Sequence, residues 1–310
     1  MKVVVAGAGG LLGRALRQAF QASGAEVLRL VRRPPHGPGE AAWDPAGGRL
    51  DPTVLAGADA IVHLGGENIA AGRWTRRRRE RILRSRVDST RLLVQGLTAA
   101  AAAGDLEATA VFLCASATGY YGDRGDEELD ETSPPGAGFL ARTCVAWEEA
   151  AAGAEAAGIR TVRLRFGVVL DPAGGALARM LPPFRLGLGG PLGSGRQWLP
   201  WLTCADAVAA VRWALARAEL SGPVNAVAGT VRNRDFARAL GRALGRPAVL
   251  PAPAPLLRLV LGAMADELLL GGQRARPRAL LASGWRPVDA GLEEALDRIL
   301  GRAGRLRESR

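Results

Sequence analysis

Near the start of the chain, Gly7, Gly10 and Gly13 stand three residues apart in the run VVVAGAGGLLG. A strand-like stretch, 3–6, precedes them, and residues at helical spacing, 14–23, follow. A glycine bend between strand and helix can hold a pyrophosphate. The first glycine permits the tight turn, the second lets backbone amides approach the phosphates, and the third lets the helix pack close to the strand. The helix N-terminus adds partial positive charge. The next strand, 26–31, runs into Arg32 and Arg33, with no acid until Glu40. A carboxylate at that place would bind an adenosine ribose 2′-hydroxyl and repel a phosphate; an arginine makes charge-assisted bonds to a 2′-phosphate. Arg32 therefore predicts NADP(H) rather than NAD(H).

Such a bend works only if a sheet positions it. Apolar runs at 59–64, 110–115 and 161–166 read as buried strands, alternating with helical patterns at 74–103 and 139–157. Alternation of this kind predicts a parallel sheet covered on both faces, an α/β, Rossmann-type doubly wound fold. After residue 170 proline and glycine thicken. Asp206 is expected to cap a helix at 207–218, with a strand at 224–227 and helices at 233–244, 256–270 and 291–300. The expected division is a nucleotide-binding Rossmann domain over 1–170 and a smaller C-terminal α/β substrate domain over 171–310, with the chain free to cross back between them.

Composition narrows the function classes. Of the 310 residues 48% are hydrophobic, enough for a packed core. No apolar run reaches the ~18–20 residues of a membrane helix, and 256–270 carries Arg258, Asp266 and Glu267. The N-terminus lacks the pattern of a signal peptide. Cys114, Cys144 and Cys204 form no CxxC pair, so reduced thiols and a cytoplasmic location are expected. His36 and His63 are the sole histidines and no Cys/His cluster exists, so no metal site is expected. The net charge of +11 comes from arginines spread along the chain, with Lys2 the single lysine. Without a basic tract interleaved with aromatics, nucleic acid is not an expected partner. The acidic run 123–131 reads as a solvated loop and Arg76–Arg79 as a solvated helix start.

Several segments in order carry a resemblance: GAGGLLG (7–13), HLGGENI (63–69), Arg73–Trp74 followed by SRVDST (85–90), SATGYYGD (116–123), RFGVVL (165–170), GGPLGSGRQWLPW (189–201) and Asp206. The chain resembles the extended short-chain dehydrogenase/reductases, and more closely their atypical, epimerase-like branch, over nearly its whole length. The resemblance implies a Rossmann domain binding NADP(H) and a smaller substrate domain. It implies that Gly7, Gly10, Leu12 and Gly13 hold the pyrophosphate and Arg32 the adenosine phosphate. His63 and Leu64 would line the adenine–ribose side, Glu67 and Arg86 would pair near the cofactor, and Val168 would approach the nicotinamide.

In ordinary members of that superfamily a serine polarises the substrate, a tyrosine transfers the proton, and a lysine four residues later lowers the tyrosine pKa. Ser116 matches the serine. The Tyr-xxx-Lys pair is absent: with Glu148 aligned to the usual glutamate, Leu140 and Cys144 occupy its positions, and Lys2 lies at the first strand. Tyr120 and Tyr121 are the sole tyrosines. Both lie beside Ser116, and Tyr121, preceding Gly122, is the favoured proton donor; the alternative is that both rings pack as a wall. Leu199 stands where nucleotide-sugar enzymes usually carry a diphosphate-clamping arginine. With Trp198 and Trp201 it points to an aromatic, weakly polar ligand, unless those rings are core. The expected function is an NADP(H)-dependent oxidoreductase or epimerase-like enzyme acting on a small carbonyl or hydroxyl substrate. The alternative is a non-catalytic NADP(H)-binding sensor or regulatory protein. A homodimer is a fold-level expectation.

Overall fold

In the computed structural model, which describes residues 1–301, the chain opens with β1 (Lys2–Ala6), α1 (Leu11–Ala22) and β2 (Glu26–Val31). β3 (Glu40–Asp44) runs parallel to β2, and β4 (Arg49–Leu50) turns back antiparallel on it. The chain then crosses to the other side of β1 and lays down β5 (Ala60–His63), α2 (Arg76–Ala102) and β6 (Val111–Ala117). The short β7 (Glu128–Leu129), α3 (Phe139–Ala152) and β8 (Arg160–Phe166) follow. The large sheet has the order β11-β8-β6-β5-β1-β2-β3-β4, with β11 (Gly222–Ala226) at its edge. Strand order reverses between β1 and β5, and ligands of such sheets bind at the carboxyl ends beside that reversal.

Central parallel strands are buried on both faces, and β1 shows why its residues are uniformly apolar. Val3 and Val5 pack with Leu16 and Phe20 of α1, and Val4 packs on the opposite face with Leu93 and Leu97 of α2. The α/β, doubly wound class expected from the alternation is the class observed.

The remaining chain comprises β9 (Val168–Asp171), α4 (Gly175–Arg185), β10 (Trp198–Thr203), α5 (Cys204–Ala216), β12 (Gly229–Arg232) and α6 (Asn233–Leu244). After these come α7 (Ala254–Leu261), α8 (Ala263–Ala265), β13 (Arg274–Ala275), α9 (Arg278–Ala282) and α10 (Leu292–Ile299). A second sheet, β12-β10-β9, packs Leu170 and Trp201 against Leu177 of α4, Phe236 and Leu240 of α6 and Leu296 of α10.

A cut at residue 170 does not follow this architecture. The chain returns after β10, so that α5 packs on the large sheet through Ala207 and Val211 and β11 extends it beside β8. Two further expectations shift. The cap of α5 is Thr203, whose Oγ1 accepts from the Asp206 amide; Asp206 sits in the first turn and accepts from the amides of Val288 and Asp289. The helix expected at 256–270 breaks at Gly262, whose φ of 63° suits glycine. No helix among the described residues is long and apolar enough to cross a membrane.

Candidate cofactor and active site

The glycine bend fits the geometry its residue types imply. Gly7 has φ of 87°, and a Cβ there would stand 2.8 Å from the Leu64 carbonyl carbon and the Gly65 nitrogen. A Cβ on Gly13 would fall 2.3 Å from the Gly7 oxygen, so α1 can approach β1 this closely only with glycine. Gly10 caps α1 without a side-chain hydrogen bond, and the first intrahelical bond is Arg14 N–H to the Gly10 oxygen. The amides of Leu11, Leu12 and Gly13 are thus left without helical partners, next to the exposed Gly9 and Gly10. This is an open cradle for an anion.

At the end of β2 the two arginines divide their work. Arg33 donates twice to Glu40, at 2.8 and 2.7 Å, and Arg29 reaches the same carboxylate at 2.7 Å. The hydrogen bond from Arg33 and the amide of His36 hold the Glu40 carboxyl at about 2. Arg32 has no hydrogen bond or ion pair among the described residues and lies exposed. It lines an open hollow of about 770 Å³ whose other walls include Trp43, Arg49 and Leu50.

His63 ends β5, fully buried; burial, and then the nearby Arg86 charge, hold its imidazole at about 3. Its Nε2 lies 2.9 Å from Ser89 Oγ, and Ser89 donates to the Ser85 carbonyl. The ring is therefore neutral with hydrogen on Nε2, and its Nδ1 faces the Gly65 amide at 3.4 Å. Leu64 continues from β5, its amide bonded to the Ala6 oxygen. Glu67 and Arg86 do not form the expected carboxylate pair. The Glu67 carboxylate faces Arg78 and Arg81 at 3.6 and 3.8 Å, while Arg86 Nη1 donates to the Glu67 carbonyl at 3.1 Å. Val168 begins β9, half-buried beyond the end of β8.

Ser116, Arg165 and Asn225 are register neighbours across β6, β8 and β11. This register assembles a buried chain of polar groups. Ser116 Oγ donates to Glu148 Oε1 at 2.6 Å, and Arg165 grips the same carboxylate through Nε and Nη2, both at 2.8 Å. Arg165 Nη1 donates to the Tyr121 hydroxyl at 2.9 Å, and that hydroxyl donates to Asn225 Oδ1 at 2.8 Å. Tyr121 is fully buried, and burial pushes its phenol up to about 12. The expected proton donor is instead a structural link, because its one proton and its ring are both committed. Tyr120 was the less favoured tyrosine. Its ring lies 3.5 Å from the Arg165 Cζ, and its hydroxyl has no hydrogen-bond partner among the described residues.

Leu140, at the first position of the missing pair, lines a cavity of about 260 Å³ with Gly119, Gly122 and Arg258. Cys144, at the second, is buried, which pushes its thiol up to about 11. Glu267 closes one side of the cavity and caps α3, accepting from the amides of Phe139 and Leu140 at 2.9 and 2.7 Å. Sequence reasoning missed Glu267, Arg165 and Asn225, whose partners lie far away in the chain. Trp198 and Trp201 do not make an aromatic binding wall. Trp201 is core, and Trp198 bonds to Asp126 with Arg232 over its ring. Lys2 begins β1, at the amino end of that strand and so away from the site at the carboxyl ends, bonded to the Ala56 carbonyl.

Together the strand reversal, the uncapped glycine bend and the hydroxyl-bearing cluster at the end of β6 define a Rossmann-type dinucleotide-binding protein. Residues 3–227 match the NAD dependent epimerase/dehydratase family, and residues 252–299 match a domain of unknown function, DUF1731. The chain belongs to the NAD dependent epimerase/dehydratase family, on its atypical epimerase-like branch. An epimerase family protein of Mycobacterium bovis is 44% identical over 303 residues, 97% of this chain and 98% of the relative. The crystal structure of human epimerase family protein SDR39U1 with NADPH superposes with a TM-score of 0.85 at 36% identity, covering 97% of this chain and 99% of that one. A nucleoside-diphosphate sugar epimerase from Corynebacterium glutamicum matches with a TM-score of 0.67 at 34% identity, covering 100% of this chain and 66% of that one.

Proposed function

We propose that the protein is an NADP(H)-dependent oxidoreductase or epimerase-like enzyme acting on a small carbonyl or hydroxyl substrate. The observation that carries this reading is the pairing of a free anion cradle at Gly7–Gly13 with an Arg32 that has no partner among the described residues, one strand away. The NADPH held by the human relative supports it. Gly7, Gly10, Leu12 and Gly13 hold the pyrophosphate and Arg32 the 2′-phosphate. His63, Leu64, Glu67, Arg86 and Val168 border the rest of the path. When bound, the nicotinamide supplies hydride transfer.

The residues then divide the proton chemistry. Ser116 gives its only proton to Glu148, so toward a substrate it offers lone pairs and accepts from a hydroxyl. Glu148, Arg165 and Tyr121 fix that orientation. Tyr120, with a free hydroxyl under the Arg165 charge, is the tyrosine that passes a proton. The 260 Å³ cavity beside Leu140 takes the substrate.

Titration of the purified protein with NADPH and NADH, followed by a screen of carbonyl compounds for NADPH oxidation, tests the proposal. Tighter binding of NADPH and turnover lowered by Ser116→Ala and Tyr120→Phe are expected. Turnover that survives both substitutions refutes the residue roles, and equal affinity for the two nucleotides refutes the cofactor choice. The loss of the Tyr-xxx-Lys pair to Leu140 and Cys144 favours a second reading, an NADP(H) sensor. Tight NADPH binding without oxidation by any compound would establish that reading instead.

A further inference from the structure

Nine large apolar side chains are exposed among the described residues, and seven of them fall in two stretches, 186–188 and 249–260. Single exposed leucines are ordinary, but a concentration of this kind marks a surface that something covers. The two stretches lie side by side. The Leu250 amide donates to the Gly189 carbonyl at 3.2 Å, the Ala252 amide donates to the Pro191 carbonyl at 2.9 Å, and Leu192 bridges to Ala252. Leu186, Leu188, Val249 and Leu250 thus begin a band that α7 continues directly.

α7 reads APLLRLVL and is apolar on two sides. Leu261 packs inward with Trp74 and Phe139, while Leu256, Leu259 and Val260, at i, i+3 and i+4, form an exposed stripe. A helix that is apolar all round belongs in apolar surroundings, yet none of these eight residues is buried.

Charge selects the occupant. Residues 172–205 and 236–265, which build the band and its surroundings, contain seven arginines and no aspartate or glutamate. Arg185 and Arg246 sit beside the exposed leucines and valine in the chain. Both are exposed, and neither side chain has a hydrogen bond or ion pair among the described residues. The carboxylate that α7 meets is Asp266, and Arg258 already holds it at 2.8 Å. A second copy of this chain would set one cationic band against another in an isologous contact. An anionic bilayer offers both an apolar layer and the missing counter-charge.

We propose that this band is a membrane-surface site. α7 lies in the interface of an anionic bilayer, with Leu256, Leu259 and Val260 among the acyl chains and Arg185 and Arg246 among the headgroup phosphates. The chain rests on the bilayer without crossing it, since no described helix is long and apolar enough to span. Through Arg258 the same helix borders the cavity beside Leu140, so attachment brings that cavity to the lipid surface. The site stands apart from the nucleotide reading, which uses neither the band nor its arginines.

Sedimentation of the full chain with vesicles tests the proposal, using phosphatidylcholine alone and a mixture of phosphatidylcholine with phosphatidylglycerol, each at low and high salt. The wild type is expected to bind the mixed vesicles, to bind neutral ones weakly, and to lose affinity as salt rises. The double variant Leu256→Asp/Leu259→Asp should weaken binding to the mixed vesicles about tenfold or more. Arg185→Gln/Arg246→Gln should weaken it too and flatten the salt dependence, while Val288→Asp, an exposed site outside the band, should leave it unchanged. Melting temperatures equal to wild type show that the variants are folded. Absence of wild-type binding, equal binding to neutral vesicles, or unchanged binding by the two double variants overturns the assignment. A wild-type dimer that ignores vesicles and is split by Leu256→Asp/Leu259→Asp also overturns it, and gives the band to a second copy of the chain.

Discussion

Replacing Arg32 and Arg33 one at a time gives opposite outcomes, although the two are adjacent arginines at the end of one strand. Arg33 is spent on Glu40, with two bonds at 2.8 and 2.7 Å, and Glu40 is almost completely enclosed. Arg32 has no such commitment. A charge-assisted hydrogen bond is worth about 1.5–3 kcal/mol, and the exposure of Arg32 to screening ions places it at the lower end. Arg32→Gln should therefore raise the Kd for NADPH about tenfold and leave NADH unchanged. Arg32→Glu, which sets a carboxylate against the phosphate, should erase or invert the preference. Arg33→Gln should lower the melting temperature by loosening the Glu40 knot, with the NADPH-to-NADH ratio preserved. Fluorescence titration of both nucleotides against the wild type and the three variants, at low and high salt, reads every term. The reasoning fails if Arg32→Gln leaves the ratio intact, or if Arg33→Gln is the substitution that abolishes it.

Three further outcomes follow from the same geometry. Gly13→Ala forces a methyl to 2.3 Å from the Gly7 oxygen and should cost about 1–3 kcal/mol or more with loss of NADPH binding, whereas Gly9→Ala, with nothing within 4 Å, should be tolerated; urea unfolding of the two variants decides, and equal stabilities would contradict the packing argument. His63 is held neutral at about 3 while an unfolded histidine titrates near 6.5, so the stability is complete above pH ~6.5 and declines as pH falls toward 3 by up to about 1.4 kcal/mol per pH unit. His63→Gln should remove that slope, and an unchanged pH profile would refute it. Glu148→Gln leaves the buried Arg165 without its counter-charge and should destabilise the fold by about 3–5 kcal/mol, measured by chemical denaturation; a variant as stable as wild type would show that the pair is dispensable.

What was legible in the sequence was whatever the backbone itself demands. Gly7 and Gly13 could be read because no other residue fits within 3 Å of neighbouring backbone, and the sheet because both faces of β1 are buried. Long-range partners were not legible. Tyr121 looked catalytic from its neighbours Ser116 and Gly122, yet its fate is set by Arg165 and Asn225, 44 and 104 residues away. Glu67 and Arg86 were rightly placed near each other, but the sequence gives no means of telling a carbonyl acceptor from a carboxylate. A strand at 224–227 was legible, and so was the chance that the chain crosses back, but not that this strand joins the large sheet beside β8, because β11 reads GPVNA, with a proline and an asparagine in a five-residue strand. Asparagine is there for the Tyr121 hydroxyl, and a strand chosen for a polar contact loses its apolar signature.

The two family matches, 3–227 and 252–299, act on one site. The α3 N-terminus has glycine at its cap, with no side chain to satisfy its first amides, and Glu267 supplies the missing acceptor from the second segment. The same helix carries Leu140 toward the cavity and Glu148 toward Ser116, so the position of both depends on a carboxylate more than a hundred residues downstream. Asn225, which holds Tyr121, is itself tied down by the Arg276 carbonyl, and Glu131 joins the Asn225 and Ala279 amides. Of the groups around the Ser116 hydroxyl, the helix that carries Glu148 and, through Asn225, Tyr121 are therefore braced by residues of the C-terminal segment. The glycine cradle, by contrast, is built by β1, α1 and the residues after β5, all within the first segment. The glycine cradle and the ordered Ser116 cluster thus rest on separable parts of the fold, the first on local backbone geometry of β1 and α1 and the second on contacts from the C-terminal segment.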